Sequence, residues 1–171
     1  FFALAHRQIA ETGTVFINAG TGAFLQVLMP AHAVPHCLLA APLMIDANSR
    51  DHVIVAEGTV NAAATALSWF WRHAGCDSFD STSWDSDAEQ ACSAHVPLFC
   101  NRVTATGSPD WLPAGESFFS CAASVQLQAI AVLESIVFSL QRNLDCMCSA
   151  SVVLAAKPRQ IVLSGGLSQI R

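Results

Sequence analysis

The spacing of apolar and polar residues divides the chain into strand-like and helix-like segments. Residues 14–18 (TVFIN) and 23–29 (AFLQVLM) are rich in β-branched, aromatic and other apolar side chains, and predict two strands. The residues between them, 19–22 (AGTG), are few enough to form a hairpin turn. Further strands are predicted over residues 38–45 and 52–56, so the front of the chain predicts a sheet.

Helical intervals between apolar residues predict two longer elements. One helix is predicted over residues 59–73 and ends at Gly75, and a much longer one over residues 119–148. A last strand, residues 160–163, precedes a glycine pair at residues 165–166 that turns the chain toward a final helix. Strands followed by helices and a further strand are typical of an α/β domain.

The remaining segments are short or irregular. Residues 1–9 fit the end of a helix, and residues 86–94 open with capping-box spacing and predict a short helix. Residues 77–87 form an acidic, serine-rich loop, and residues 107–115 form a loop that contains two prolines. The 171 residues fit a single domain without internal repeats.

Composition narrows the class of protein. Hydrophobic residues make up 53% of the chain and charged residues only 12%, which is low in charge for an independent domain. The chain begins with Phe1 and its last predicted helix is cut short, so we expect a fragment whose apolar surface is covered by other parts of a longer protein. The net charge is −5 and no basic patch occurs, which argues against a nucleic-acid partner.

The apolar stretches and the cysteines indicate where in the cell the protein is located. Residues 16–45 contain no Asp, Glu, Lys or Arg, but glycines and prolines break this stretch into strand-length pieces, so no membrane span is predicted. No signal peptide is recognisable. The seven cysteines are odd in number and irregularly spaced, which favours reduced thiols and a cytoplasmic protein. Cys121 and Cys146 are expected to be buried as small apolar residues.

Two glycine turns are the candidate binding motifs. Gly20 and Gly22 allow backbone N–H groups to approach an anion closely, and such amides can form a concavity for phosphate. Gly165 and Gly166 follow a predicted strand and give a flat ligand access to the backbone. Each turn also has a purely structural interpretation, because glycine is the ordinary residue of tight turns. A P-loop is absent from the sequence, whose only lysine is Lys157.

Metal-binding motifs are weak. The sets Cys92, His95, Cys100 and His32, His36, Cys37 do not offer four ligands at zinc spacing, and no metal ligand is assigned. Glu134, within the long apolar helix, is assigned a structural role.

Four segments occur in an order that resembles the FGGY carbohydrate kinases, with a glycerol kinase-like pattern. They are residues 18–24 (NAGTGAF), 57–70 (EGTVNAAATALSWF), 129–141 (AIAVLESIVFSLQ) and 161–168 (IVLSGGLS). The resemblance covers nearly all of residues 1–171. It implies an α/β fold of the ribonuclease-H-like (actin-like ATPase) class, a mixed sheet flanked by helices. It also implies that the chain is a truncated C-terminal nucleotide-binding domain of a two-domain sugar kinase.

The resemblance also implies a nucleotide site. The first turn would lie against the terminal phosphates of ATP, the second against adenosine, and two residues of the helix between them beside the nucleotide. The family pattern has Gly and Gln at the helix positions, where this chain has Ala64 and the shorter Ser68. The implied site residues are Gly20, Thr21, Gly22, Ala64, Ser68, Gly165, Gly166, Leu167 and Ser168.

The activity implied is transfer of the γ-phosphate of ATP, with Mg²⁺, to a hydroxyl of a sugar or polyol. The general-base Asp is expected upstream of Phe1, and the sugar would bind to the N-terminal domain, so the chain alone is expected to be inactive. A homodimer is compatible with this interpretation. Two alternatives are a non-catalytic actin-like module that binds nucleotide or a partner, and an unrelated α/β domain with coincidental turns.

Overall fold

The computed structural model describes residues 13–42, 53–75, 95–150 and 158–169. Strands and helices follow one another in the order expected of an α/β domain. The described elements are β1 (Thr14–Ala19), β2 (Ala23–Pro30), β3 (Leu39–Pro42), β4 (Val53–Val60), α1 (Ala64–His73), β5 (Phe99–Cys100), β6 (Phe118–Phe119), α2 (Val125–Ala150) and β7 (Gln160–Ser164). Short 3-10 helices occur at Ala31–Ala33 and Gly166–Gln169.

The main sheet has five strands in the order β3-β4-β2-β1-β7. Strand β7 runs parallel to β1, whereas the other neighbouring strands are antiparallel. Pairing of Ala19 with Ala23 leaves residues 20–22 as the hairpin loop, as the sequence predicted. Pairing of Asn18 with Ser164 brings the carboxyl ends of β1 and β7 to the same edge of the sheet. Both glycine turns therefore start at that edge.

Helix α2 covers one face of the sheet. Every second residue of β2 is buried on that face, and Met147 of α2 is buried in the same cluster, which is the alternation expected of a strand with one covered face. Ile136, which lies nearer the start of α2 than Met147, packs with Ala19 and Ala23 beneath the hairpin. Burial of each large aliphatic side chain contributes about 1.5–3 kcal/mol. Apolar residues at helical spacing predict the buried side of helix α2: Val125, Val132, Ile136, Leu140, Leu144 and Met147. Burial confirms the prediction at Val132, Ile136 and Met147 but not at Val125, which is 40% exposed.

The predicted helix over residues 59–73 is wrong at its start. Strand β4 continues to Val60, because β2 offers it an unbroken ladder of partners as far as Ala23. Helix α1 begins only at Ala64, where the hairpin provides the acceptors for its first N–H groups. Gly75 follows α1 with φ +70, as expected of a helix stop.

Other boundaries also differ from the predictions. Phe118 and Phe119 pair with β5 as a strand, so the long helix begins at Val125 rather than at residue 119. The described part of the final helix, Gly166–Gln169, is 3-10, and strand β7 extends one residue further than predicted, to Ser164. The helices predicted over residues 1–9 and 86–94, the loop 77–87 and the end of the strand 38–45 lie outside the described residues.

A buried polar network joins the loop before β6 to the sheet and to α2. The Ser108 hydroxyl accepts a hydrogen bond from the backbone N–H of Thr59 (2.7 Å) and donates one to Oδ1 of Asn143 (2.8 Å). The Asn143 amide donates in turn to the carbonyls of Ser108 and Ser139. Asn143 is fully buried, so these partners offset the cost of removing its amide from water.

Neither helix of the described part of the chain combines the length and the apolar character needed to cross a membrane. Cys121 is exposed, contrary to prediction, because it lies in the loop between β6 and α2. Cys146 is half-buried and packs against the cluster that contains Met147.

Candidate functional site

The hairpin loop between β1 and β2 caps the start of α1 with its carbonyl groups. The carbonyl of Gly20 accepts the N–H of Ala64 (3.0 Å). The carbonyl of Thr21 accepts the N–H groups of Ala63 (3.0 Å) and Thr65 (3.2 Å), and the Thr65 hydroxyl as well. No side chain caps this helix, so the hairpin satisfies N–H groups that a helix start otherwise leaves unpaired.

This arrangement fixes the direction of two further backbone N–H groups. In a trans peptide the C=O and the following N–H point in opposite directions. The carbonyls of Gly20 and Thr21 point at α1, so the N–H groups of Thr21 and Gly22 point away from it. Neither of these N–H groups donates to a described residue. Two adjacent, outward N–H groups are the kind of backbone concavity that accepts an anion.

The second glycine turn packs directly against the end of β1. Gly165 has φ +93, and a Cβ placed on it would lie 2.6 Å from Oδ1 of Asn18 and closer still to the carbonyl of Ala19. Ala19 immediately precedes Gly20, so the two turns are neighbours in space although Gly20 and Gly165 are 145 positions apart in sequence. Gly166 is exposed, and a Cβ there would meet nothing within 4 Å.

Leu167 and Ser168 hold the second turn in place. Leu167 is half-buried and packs against the cluster of Ala19, Ala63 and Ile136 that supports the hairpin. The hydroxyl of Ser168 donates to the carbonyl of Gly165 (2.6 Å), and its backbone N–H donates to the same carbonyl (3.1 Å). Ser168 therefore closes its own turn, and its hydroxyl hydrogen is already used.

The two predicted residues of α1 differ in their surroundings. Ala64 is the first residue of the helix and is joined to Gly20 by the hydrogen bond described above. Ser68 lies one turn further along the same side and is exposed. Its carbonyl accepts a hydrogen bond from Nε of Arg72 (3.1 Å), and its side chain has no partner among the described residues.

The two glycine turns and Ala64 thus meet at one corner of the molecule, where β1 and β7 end, and Ser68 lies one turn along α1 from Ala64. Ligands of open α/β sheets characteristically bind at such an edge. The corner offers backbone N–H donors and small side chains. Among the described residues, no group of three or more His, Cys, Asp and Glu side chains could hold a metal ion, and this includes the set His32, His36, Cys37. Cys92, of the other set, lies outside the described residues.

Two surface depressions lie elsewhere and contain no residue of either glycine turn. One is an open groove along α2 that includes Arg142 and Cys146, and the other is a small cavity of about 70 Å³ between Asn61 and Asn101. Arg142, which lines both, donates a bidentate pair of hydrogen bonds to Asp110 (2.7 Å each). That hydrogen bonding lowers the pKa of Asp110 and raises that of Arg142.

Sequence reasoning missed two contributors to this corner. Asn18 and Ala19 form the wall against which Gly165 packs, and they were assigned only to the strand and the hairpin turn. The capping of α1 by hairpin carbonyls was also missed. The N-cap residue of α1 is Ala63, and without Ser, Thr or Asp at that position the sequence gives no sign of where the helix begins. The run of small residues from Ala62 to Ala64 was the available signal, since it allows the hairpin backbone to approach.

One family model matches nearly the whole chain. The model of the FGGY family of carbohydrate kinases, C-terminal domain, matches residues 15–171. No curated protein matches the chain at a significant level.

Solved structures that match the chain belong to much longer kinases. Plasmodium falciparum glycerol kinase with ADP matches with a TM-score of 0.79 and 19% identity, over 96% of this chain and 33% of that chain. Gluconate kinase from Lactobacillus acidophilus matches with a TM-score of 0.72 and 16% identity, over 92% and 31%. Xylulose kinase from Rhodospirillum rubrum matches with a TM-score of 0.70 and 15% identity, over 95% and 32%.

The chain therefore spans about a third of the length of these proteins. The likeness confirms the predicted fold, a ribonuclease-H-like, actin-like domain with a mixed sheet flanked by helices.

Proposed function

The chain belongs to the FGGY family of carbohydrate kinases, and from this membership we propose that it is the nucleotide-binding part of an enzyme that transfers the γ-phosphate of ATP to a hydroxyl of a sugar or polyol. In this proposal residues 1–171 form a C-terminal domain that works together with an N-terminal one. A cytoplasmic location belongs to the proposal, and a homodimer stays a prediction.

One observation carries the proposal for the site. Two turns far apart in sequence meet where β1 and β7 end. Each contains a glycine at a position where the packing of the protein leaves room for a side chain. A Cβ on Gly166 would meet nothing within 4 Å, and one on Gly20 would meet only the carbonyl of Gly22 at 3.9 Å. Open backbone of this kind is suited to close approach by a ligand.

The chemistry of the corner fits a nucleotide with phosphates. The outward N–H groups of Thr21 and Gly22 would donate to phosphate oxygens, and the open face at Gly166 would lie against adenosine. Lys157, the only lysine in the chain, lies outside the described residues, and we assign no lysine to the phosphates. Bound Mg²⁺ would supply the remaining positive charge, held by the phosphates and water rather than by a protein cage.

Phosphoryl transfer needs groups that this corner does not provide. A sugar hydroxyl requires a general base, most often a carboxylate, within hydrogen-bonding reach. We assign that base and the sugar site to the part of the enzyme outside residues 1–171, so this chain alone is expected to be inactive. Closure of two domains around the substrates would bring the two halves of the site together.

Titration calorimetry of Mg-ADP into the chain tests the nucleotide site. We expect a dissociation constant of about 1 mM or tighter, equivalent to about −4 kcal/mol. The variant Gly166→Val should remove this binding, because the new side chain would occupy the face assigned to adenosine. Gly165→Val would not serve as a test of binding. A side chain at this position is strained by the positive φ and would overlap Ala19, so it would disturb the turn itself.

The matched control is Ala31→Val. Ala31 also begins a short 3-10 helix and is also exposed, but it lies at the opposite end of β2 from the hairpin. It should bind Mg-ADP like the unchanged chain. The absence of binding by a chain that is folded by circular dichroism, or equal loss in both variants, would contradict the assigned site.

A non-catalytic nucleotide-binding module is the second candidate function. Ser68 favours it, because a side chain shorter than the Gln of the family pattern reaches less far toward a nucleotide. Phosphorylation of a sugar or polyol by the full-length protein would exclude this candidate. Nucleotide binding without turnover against a panel of sugars and polyols would support it.

A further inference from the structure

Two cysteine thiols face each other far from the glycine turns. Sγ of Cys37 lies 3.2 Å from Sγ of Cys146, and the two residues are 109 positions apart in sequence. Cys37 lies in the connection between β2 and β3, and Cys146 lies in the last turns of α2. Both are free thiols in this structure.

The backbone around each thiol is held in place. The carbonyl of Cys37 accepts a hydrogen bond from the indole N–H of Trp111 (2.7 Å), and the N–H of Leu38 donates to the carbonyl of Pro35. Cys146 is one residue before Met147, which is fully buried against the sheet. The pair is therefore positioned by tertiary packing, since no local chain segment connects the two residues.

The distance between the two sulfur atoms is short enough for a disulfide to form after a small movement. A disulfide bond needs the two sulfur atoms at about 2.05 Å, so they would have to approach by about 1 Å. Rotation of the two side chains about their Cα–Cβ bonds can supply a displacement of this size. Cys146 also lines the open groove along α2, so a small reagent can reach its sulfur from solvent.

We propose that Cys37 and Cys146 form a reversible disulfide when the protein meets a small disulfide such as glutathione disulfide. One thiol attacks the reagent to give a mixed disulfide and releases one glutathione thiol. The second thiol then attacks the protein sulfur of that mixed disulfide and releases the second glutathione. Both protein thiols are oxidised, the reagent is reduced to two thiols, and the new bond joins the β2–β3 connection to α2.

The resting state of the pair is the dithiol. Burial and the contact with Cys37 raise the pKa of Cys146 to about 11. Little Cys146 thiolate is therefore present at neutral pH, and because the thiolate is the attacking species we expect slow attack by this sulfur. The inference does not depend on the proposed nucleotide site. The pair lies ten residues along α2 from Ile136, about 15 Å at the helical rise, and Ile136 packs beneath the hairpin.

Peptide mapping without reduction tests the pairing on the whole 171-residue chain. The reduced chain is incubated with glutathione disulfide, remaining thiols are alkylated, and the chain is cleaved after Arg and after Met. Cleavage after Met147 separates Cys146 from Cys148, and cleavage after Met29 and Met44 isolates Cys37. We expect residues 30–44 linked to residues 143–147, about 2 Da lighter than the two reduced peptides together, and released by dithiothreitol.

Three single variants make the test specific. Cys37→Ser and Cys146→Ser should each remove the linked peptide, whereas Cys148→Ser, two residues further along α2, should keep it. Circular dichroism checks that each variant folds. Recovery of Cys37 and Cys146 as alkylated thiols while exposed Cys121 has reacted would overturn the proposal. A stable glutathione adduct on either residue, or a link from Cys37 to Cys148, would overturn it as well.

Discussion

The two glycine turns at the ends of β1 and β7 each contain two glycines whose surroundings differ. In the hairpin, a Cβ on Gly22 would lie 3.0 Å from the carbonyl of Val60, whereas one on Gly20 would meet nothing nearer than 3.9 Å. In the second turn, Gly165 has φ +93 and lies against Asn18 and Ala19, whereas Gly166 faces open space. Each turn thus has one glycine that packing requires and one that it does not.

This difference separates two explanations that the sequence alone cannot separate. A glycine that contacts backbone, or that has a positive φ, is explained by the fold itself. A glycine with open space around it and an ordinary φ is not explained by the fold, so a ligand is the simpler reason for it. Gly20 and Gly166 therefore carry more weight for the proposed nucleotide site than Gly22 and Gly165 do.

The largest predicted effect is that of Gly165→Ala on stability. The positive φ costs about 1–3 kcal/mol for a residue with a side chain, and the overlap of the new methyl group with Ala19 costs a similar amount. Urea denaturation followed by circular dichroism should show a loss of about 3 kcal/mol or more in the free energy of unfolding. Gly166→Ala is the matched control and should change stability by no more than about 0.5 kcal/mol. Equal losses in both variants would contradict the division between the two glycines.

A smaller effect is predicted for the hairpin. Gly22→Ala places a methyl group 3.0 Å from the carbonyl of Val60, which β4 and the hairpin together hold in place. We expect a loss of about 1–2 kcal/mol in the same urea measurement. Gly20→Ala, two residues away, should be close to neutral. The nearest atom to its methyl group would be the carbonyl oxygen of Gly22 at 3.9 Å, which is an ordinary van der Waals distance. If Gly20→Ala destabilises the chain more than Gly22→Ala does, the hairpin is packed differently from the description above.

Much of the fold followed from local patterns in the sequence. Strands β1 and β2 and their hairpin were predicted closely, because alternation and turn residues act over a few positions. The start of α1 was misplaced because Thr59 and Val60 fit a helical pattern, yet the ladder with β2 keeps them in a strand. That ladder is set by residues 23 and 24, far away in sequence. Local periodicity cannot report it.

The candidate site shows the same limit. Both glycine turns could be identified from the sequence, and the resemblance to a family suggested that they share a ligand. Their contact through Ala19 depends on the parallel pairing of β1 with β7, which joins residues near opposite ends of the chain. The closeness of Cys37 to Cys146 likewise depends on how α2 packs on the sheet, and no spacing rule predicts it.

The smallest predicted effect concerns Ser68, which lies one turn along α1 from Ala64 and belongs to neither glycine turn. Its side chain is exposed and has no partner among the described residues, so a longer polar side chain can replace it without loss of a contact. If the open glycines hold one nucleotide, Ser68→Gln should strengthen Mg-ADP binding by a few-fold, about 0.5–1 kcal/mol, through one added hydrogen bond. The control is Ser149→Gln, because Ser149 is also exposed but lies near the far end of α2. Titration calorimetry of Mg-ADP into both variants measures the difference in affinity. A gain in Ser68→Gln alone would extend the ligand surface from the two turns onto α1. Equal affinity in both variants would confine that surface to the two turns, because position 68 would then lie outside it.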